Sequence, residues 1–309
     1  MMKKSEVVKS NELVQASYTL SLIEQRLILL AIVEARETGL GIDAQLPLTV
    51  NAAVYAAQFA VSLDAAYAAL SSAVSTLFER QVTFYDHHPQ TGQVRRNKTR
   101  WVSKVSYVEG AGLVQLIFAP DIVPEITRLE INFTKYDLEQ IAGLHSAYAV
   151  RLYELLIQWR SVGKTPRVEL AQLRNQLGLY EDEYQRMHHF KVRVLDLAVT
   201  QINQHTHLHV SYEQHKQGRE IVGFTFVFVV RGGVSSTTAT TAVTPVRRVK
   251  SVSTEWDQWD RLHELELQSC RQWWPELCRE QVEAQARAQG LSSLQMMQRL
   301  QVEGRRNMS

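Results

Sequence analysis

The residues best suited to chemistry fall in one segment, residues 183–203. At helical spacing, Gln185, Arg186, His189, Val192 and Arg193 share one side, and Met187, Phe190, Val194, Leu195, Ala198 and Ile202 the other. Arg186, His189 and Arg193 stand at i, i+3 and i+7, so they line up along the polar side. Arginine can donate two hydrogen bonds to guanine O6 and N7, glutamine can pair with adenine, and a valine can touch a thymine methyl. Such a helix can lock its apolar side to a domain and lay the other in a major groove. A solvated basic face would look the same on an isolated helix. A short helix before it (168–177) and an alternating hairpin after it favour the groove-reading alternative.

Other cations fit phosphate contacts, which position a protein without specifying sequence. Lys191 lies toward the apolar side and would snorkel past the core edge. Lys216 and Arg219 fall in a turn expected at 214–219, and Lys135 at the start of a helix expected over 136–160. Arg95, Arg96, Lys98 and Arg100 crowd a polar turn just before Trp101. The helix ending at Arg80 instead shows Ser71, Ser72 and Ser75 on its polar face and no earlier cation. The first half is thus expected to grip DNA or dimerise, and the second to read it.

Enzyme signatures fare worse. Gly163-Lys164-Thr165 ends like a phosphate-binding loop, but Gln158 stands where its first glycine belongs and no strand precedes it. His205, His207 and His209 alternate on a strand, and Tyr180 and Tyr184 lie a helical turn apart, so a metal-dependent rolling-circle nickase is an alternative. Leu208, Val210 and Tyr212 are expected to point inward, which turns the three histidines out onto the surface. No nucleophile elbow, zinc spacing or dinucleotide fingerprint is present. We expect no catalytic residue, metal or cofactor.

The elements that would position these residues read as an α+β chain. A helix is expected over 20–37, helices over 50–80 divided near Ser62, strands at 82–84, 101–108 and 113–118, then helices over 136–160, 168–177 and 183–203 and a hairpin ending in strand 221–230. Helices followed by a hairpin, twice over, predict two tandem winged helix-turn-helix domains, residues 1–130 and 131–231. Residues 232–250, rich in Gly, Ser, Thr and Ala, read as a flexible linker. Residues 251–309 read as a helical tail, whose Trp256, Trp259, Trp273 and Trp274 suit an amphipathic cap, a dimer contact or a docking peptide.

The 309 residues carry 34 basic and 32 acidic side chains, a net charge of +2, so local patches rather than overall charge must attract any nucleic acid. Two cysteines, Cys270 and Cys278, build no disulfide framework and fit a reducing cytoplasm. No apolar signal region follows the basic start, and the greasiest run, 27–33, is far short of the roughly 20 residues a membrane span needs.

Several separated motifs resemble one family. Ser10-Asn11-Glu12-Leu13 through Ser21-Leu22-Ile23-Glu24-Gln25-Arg26-Leu27-Ile28 is similar to the opening of the iteron-binding plasmid replication initiators. The likeness resumes at Phe133-Thr134-Lys135-Tyr136 and Arg151-Leu152-Tyr153-Glu154-Leu155-Leu156. It is most specific at Tyr184-Gln185-Arg186-Met187, Phe190-Lys191 and Ile202-Asn203, and covers residues 7–230. The resemblance implies monomers that bind direct repeats in a double-stranded replication origin and engage the host initiator and helicase. It also implies dimers that repress their own promoter through an inverted repeat. Arg186, Lys191 and Arg193 occupy positions where the family sets basic residues against DNA. Val192 departs from that pattern, which implies a repeat sequence of this protein's own. A dedicated transcriptional repressor is a further alternative.

Overall fold

The computed structural model describes residues 5–43, 45–88, 90–127 and 132–231. The expected linker and Trp-containing tail, with both cysteines, lie outside the described residues. A strand (β1, Glu6–Ser10), a helical turn (α1, Asn11–Gln15) and a two-residue strand (β2, Ser17–Tyr18) precede the first long helix (α2, Leu22–Thr38). Ser21 starts α2 by accepting from the Glu24 amide, while the Glu24 carboxylate accepts from the Ser21 amide. Such a capping box satisfies two orphan donors, and its Ser cap contributes about 1 kcal/mol. Gly39, at φ 73°, ends the helix in a left-handed turn that glycine adopts without strain.

A short strand (β3, Leu48–Asn51) leads into α3 (Ala52–Phe59) and α4 (Leu63–Leu77), which divide near Ser62 as expected, and Ser62 caps α4 by accepting from the Ala65 amide. Four strands follow: β4 (Gln81–His87), β5 (Val94–Arg100), β6 (Val102–Val108) and β7 (Leu113–Phe118). Here the structure corrects the sequence reading. The polar turn expected to carry Arg95, Arg96, Lys98 and Arg100 is itself strand β5, paired with β4 from Gln81↔Arg100 to His87↔Val94. The reason is register: Val82 and Phe84 are buried and dictate how β4 faces the core, while β5 contributes polar side chains and so shows no apolar alternation. The wing of the first unit is instead β6–β7, with β3 beside β7. A short helix (α5, Val123–Ile126) follows.

The helix expected over 136–160 is also divided. Its first residues belong to β8 (Phe133–Asp137), followed by α6 (Glu139–Ala142) and α7 (Ala147–Ile157). β8 pairs antiparallel with β1, Glu6↔Asp137 through Ser10↔Phe133, a long-range partner that local periodicity cannot reveal. Next come β9 (Val168–Glu169) and α8 (Leu170–Gln176), then α9 (Met187–Phe190), a π-helical turn (Lys191–Asp196) and α10 (Leu197–His205) in succession. The hairpin β10 (Leu208–Gln217) and β11 (Glu220–Val230) closes the unit. Sheet order is β3-β7-β6 in the first half and β9-β11-β10 in the second, so the repeat of sequence pattern is a repeat of topology.

A buried ionic cluster ties together elements on both sides of position 130. Glu154 in α7 accepts from Lys9 Nζ of β1 at 2.6 Å, from the Tyr136 hydroxyl of β8 at 2.7 Å and from Arg151 at 2.9 Å. All five guanidinium N–H groups of Arg151 find partners: Glu154, the Tyr18 hydroxyl, and the carbonyls of Val14, Ala16 and Gln176. Burial works to raise the Glu154 carboxyl, but the attraction of Lys9 and Arg151 outweighs it and holds the group at about 2. Nearby, Gly178 sits at φ 78°, and a Cβ there would lie 2.4 Å from the Tyr18 carbonyl oxygen. Only glycine lets the chain after α8 pass so close to β2, where Thr19 also donates to the Gly178 carbonyl.

Candidate nucleic-acid interface

The helix that follows α8 buries Phe190, Val194, Leu195, Ala198 and Ile202 completely, with Met187 partly covered, as its apolar spacing demands. Phe190 packs on Phe224 of β11, ring centroids 6.2 Å apart, with the Arg174 guanidinium 5.3 Å from its ring. His189, Val192 and Arg193 face solvent, with Val192 48 % exposed. Arg193 makes no hydrogen bond or ion pair with the described residues, so its donors are free for a ligand.

Two expected members of this face are displaced. The helix begins at Met187, not 183, and Arg186 is its extended N-cap at φ −72°, ψ 125°. Gln185 and Arg186 are exposed on the segment leading into the helix, after Tyr184 at φ 45°. The acidic run Glu181-Asp182-Glu183 resembles a helical first turn, yet Glu183 accepts from the Tyr180 amide and closes a local turn instead. Arg174 secures that turn through the carbonyls of Glu183 and Tyr184. The three-residue line on the wheel therefore shortens to His189 and Arg193 on the helix, with Arg186 beyond its end. The turn that follows is π-helical, yet Val192 and Arg193 still point out together and Val194 and Leu195 in together, as helical spacing places them.

The phosphate candidates separate by surroundings. Lys191 crosses the core edge as expected, but its Nζ donates to Gln214 of β10 at 3.2 Å and lies 5.9 Å from the Tyr212 ring. The expected turn 214–219 tightens to Gly218 and Arg219, because β10 runs on to Gln217 after a bulge at His215/Lys216. Lys216 and Arg219 are exposed at this wing tip, with no partner among the described residues. Lys135 belongs to β8, not to a helix start, and pairs with Glu6 at 3.4 Å. On β5, Arg95 turns to the Asp86 side and pairs with that carboxylate, which the guanidinium holds below its usual range. Arg96, Lys98 and Arg100 share the opposite face, where Arg100 meets Glu79 at 3.1 Å and Arg96 and Lys98 stay unpaired among the described residues.

The histidines do not form a metal strand. His207 is half-buried, bonded to Gln140, with its ring 6.1 Å from that of Tyr153, and burial lowers its pKa. This corrects the expected outward orientation. His205 ends α10 against His145, and His209 accepts from Arg231. Tyr184 packs its ring against Tyr148. Among the described residues no group of three or more His, Cys, Asp or Glu side chains could hold a metal ion. No single helix among them is long and apolar enough to cross a membrane.

Comparison with known proteins agrees with this architecture. Residues 6–157 match the family model described as initiator replication protein, WH1, and residues 169–228 the one described as initiator Rep protein, WH2. The two matches thus meet between 157 and 169. A crystal structure of the Pi initiator protein in complex with iteron DNA superposes with TM-score 0.60 and 21 % identity, covering 75 % of this chain and all of that one. An uncharacterized 27.6 kDa protein of Escherichia coli is 28 % identical over 225 residues, 70 % of this chain and 92 % of the relative. A replication initiation protein of Escherichia coli is 25 % identical over 172 residues, 55 % of this chain and 52 % of the relative. With two winged helices in tandem, each matched by its own half of the family, the chain belongs to the initiator replication proteins.

Proposed function

We propose that this initiator binds duplex DNA sequence-specifically, recognising direct repeats in a plasmid origin as a monomer and repressing its own promoter as a dimer. The observation that carries the reading is the helix of the second winged helix. Its apolar side is locked into the core, while His189, Val192 and the unpaired Arg193 face outward, with Gln185 and Arg186 just before it. In this reading those five residues touch base edges in a major groove. Lys216 and Arg219 at the wing tip hold phosphates. The first winged helix, whose α3 and α4 carry no cation, contributes backbone contacts and the dimer. The protein works without catalysis, metal or cofactor, in the bacterial cytoplasm, and hands the opened origin to the host initiator and helicase.

The direct test is a gel shift and footprint on the DNA flanking its own gene, with magnesium and scrambled competitor present. A ladder of shifts over direct repeats, on DNA that stays uncut, is expected. A single-strand nick with protein covalently attached would overturn the reading. Maintenance of a plasmid that has no other origin separates an initiator from a dedicated repressor. In the same assay Lys216→Ala should weaken binding to all sequences alike and reduce the salt slope by about 1.

A further inference from the structure

Two of the five outward residues, Gln185 and Arg186, stand on non-helical backbone, so no helix geometry aims them. Their direction is set by residues 178–186, a segment held along its length. At its start the Thr19 hydroxyl, from the first unit, donates to the Gly178 carbonyl at 2.9 Å. Tyr180 then lies beside the Arg80 guanidinium, which pairs with Glu24 at 2.7 Å. Tyr184 takes a φ of 45°, a left-handed turn that a bulky residue keeps only where its surroundings enforce it. Its ring packs on Tyr148 of α7. The remaining hold is Arg174 of α8. Its Nη1 donates to the Tyr184 carbonyl at 3.2 Å, its Nη2 donates to the Glu183 carbonyl, and the guanidinium lies over the Phe190 ring. Arg174 thus ties the left-handed turn to the buried anchor of the reading helix, and it lines one recess together with Gln185 and Met187.

We propose that Arg174 is a positioning residue for base recognition: by holding Tyr184 in its left-handed turn it decides where Gln185 and Arg186 point. The inference rests on the proposed function, in which those two residues meet base edges. Two of the Arg174 donors go to the protein's own carbonyls, so its effect on DNA passes through its neighbours. A base contact made by two hydrogen bonds tolerates little displacement. If Tyr184 relaxes to the usual negative φ, the chain that follows rotates and carries both side chains away. Lysine cannot take over, because a single ammonium has neither a planar fork for two carbonyls nor a flat face for a ring. Since Thr19 pins the start of the same segment, the first unit contributes to the base preference of the second without approaching its helix. His189 and Arg193 are aimed differently: they stand on the helix itself, which Phe190, Val194 and Leu195 lock into the core.

The test selects bound sequences from a randomised repeat with full-length variants, and follows the urea unfolding of each. Arg186→Ala marks the base pair read from the segment, and Arg193→Ala the one read from the helix. Arg174→Lys should lose about fivefold or more of the preference at the first and keep it at the second. Adding Tyr184→Gly should recover part of the loss, because glycine adopts the left-handed turn unaided. Thr19→Val, which removes the hold at the other end, should relax the same base pair, and it serves as the test if Arg174→Lys does not fold. Full preference at both base pairs in Arg174→Lys and Thr19→Val overturns the inference and leaves the duplex reading standing. An even loss at both base pairs, in step with a lowered unfolding midpoint, also overturns it and makes Arg174 a support of the fold alone. No recovery with Tyr184→Gly overturns the role given to the turn. If Arg193→Ala relaxes a base pair and Arg186→Ala none, the segment reads nothing and the inference falls while the helix keeps its role. A wild type that selects no sequence refutes the proposed function and the inference with it.

Discussion

Replacing Glu154 with glutamine should destabilise the folded chain by about 3–5 kcal/mol, the usual cost of removing one partner from a buried ion pair. The carboxylate is the acceptor on which Lys9, Arg151 and Tyr136 converge, and both cations are themselves buried. Without the negative charge, Lys9 and Arg151 remain in the interior, close together and uncompensated. Urea unfolding at neutral pH reads the effect. Adding Lys9→Met to the variant removes one stranded charge and should recover part of the loss. A single variant within about 1 kcal/mol of wild type would mean that the cluster contributes no more than a surface pair does.

The same group makes a pH prediction. The Glu154 carboxyl is held at about 2 in the folded chain, against about 4.3 for an unperturbed glutamate. Between those values the unfolded chain takes up the proton first, so stability rises with pH there. The stabilisation is fully present above pH ~4.3 and disappears as pH falls through ~2. The gap between wild type and Glu154→Gln should therefore narrow over that window. A gap that stays constant would show that the carboxylate does not titrate as its surroundings demand.

The second large effect is on recognition. Arg193→Ala should cost about 1–3 kcal/mol of duplex affinity, roughly 5- to 150-fold, and relax base preference at a single position. Arg193 is exposed and unpaired among the described residues, so its removal should leave the unfolding midpoint where it is. Selection of bound sequences from a randomised repeat reads the lost preference directly. The contrast with Lys216→Ala is decisive, because a phosphate contact lowers affinity for every sequence by the same factor. If both variants lose affinity uniformly and keep their base preference, then the helix does not read bases in the way proposed.

Where local pattern and tertiary need coincided, the chain was readable. The helix expected over 20–37 is α2, and the expected division near Ser62 is where α4 starts, since caps satisfy backbone groups within a few residues. The apolar stripe Phe190, Val194, Leu195, Ala198, Ile202 pointed to its buried face, and Phe224, Phe226 and Phe228 to that of β11, because burial of alternating or helically spaced side chains is a local signature of a distant core. From those stripes the two winged helices followed, and the outward residues His189, Val192 and Arg193 with them.

What the linear order concealed depends on partners far along the chain. β8 is a strand because β1 lies beside it, more than 120 residues away and invisible to any window. β5 carries no apolar alternation, so only its hydrogen bonds to β4 distinguish it from a polar turn, and only that pairing sorts Arg95 toward Asp86 from Arg96 and Lys98 toward solvent. The reading helix starts at Met187 because Glu183 and Arg174 hold the preceding turn, a contest between side chains that propensity cannot judge. Composition and periodicity thus decide which side of an element is buried, since that costs or gains solvation residue by residue. Pairing, end points and the neighbours of each charge are decided by the assembled fold, since backbone and ionic partners exist only once distant segments meet.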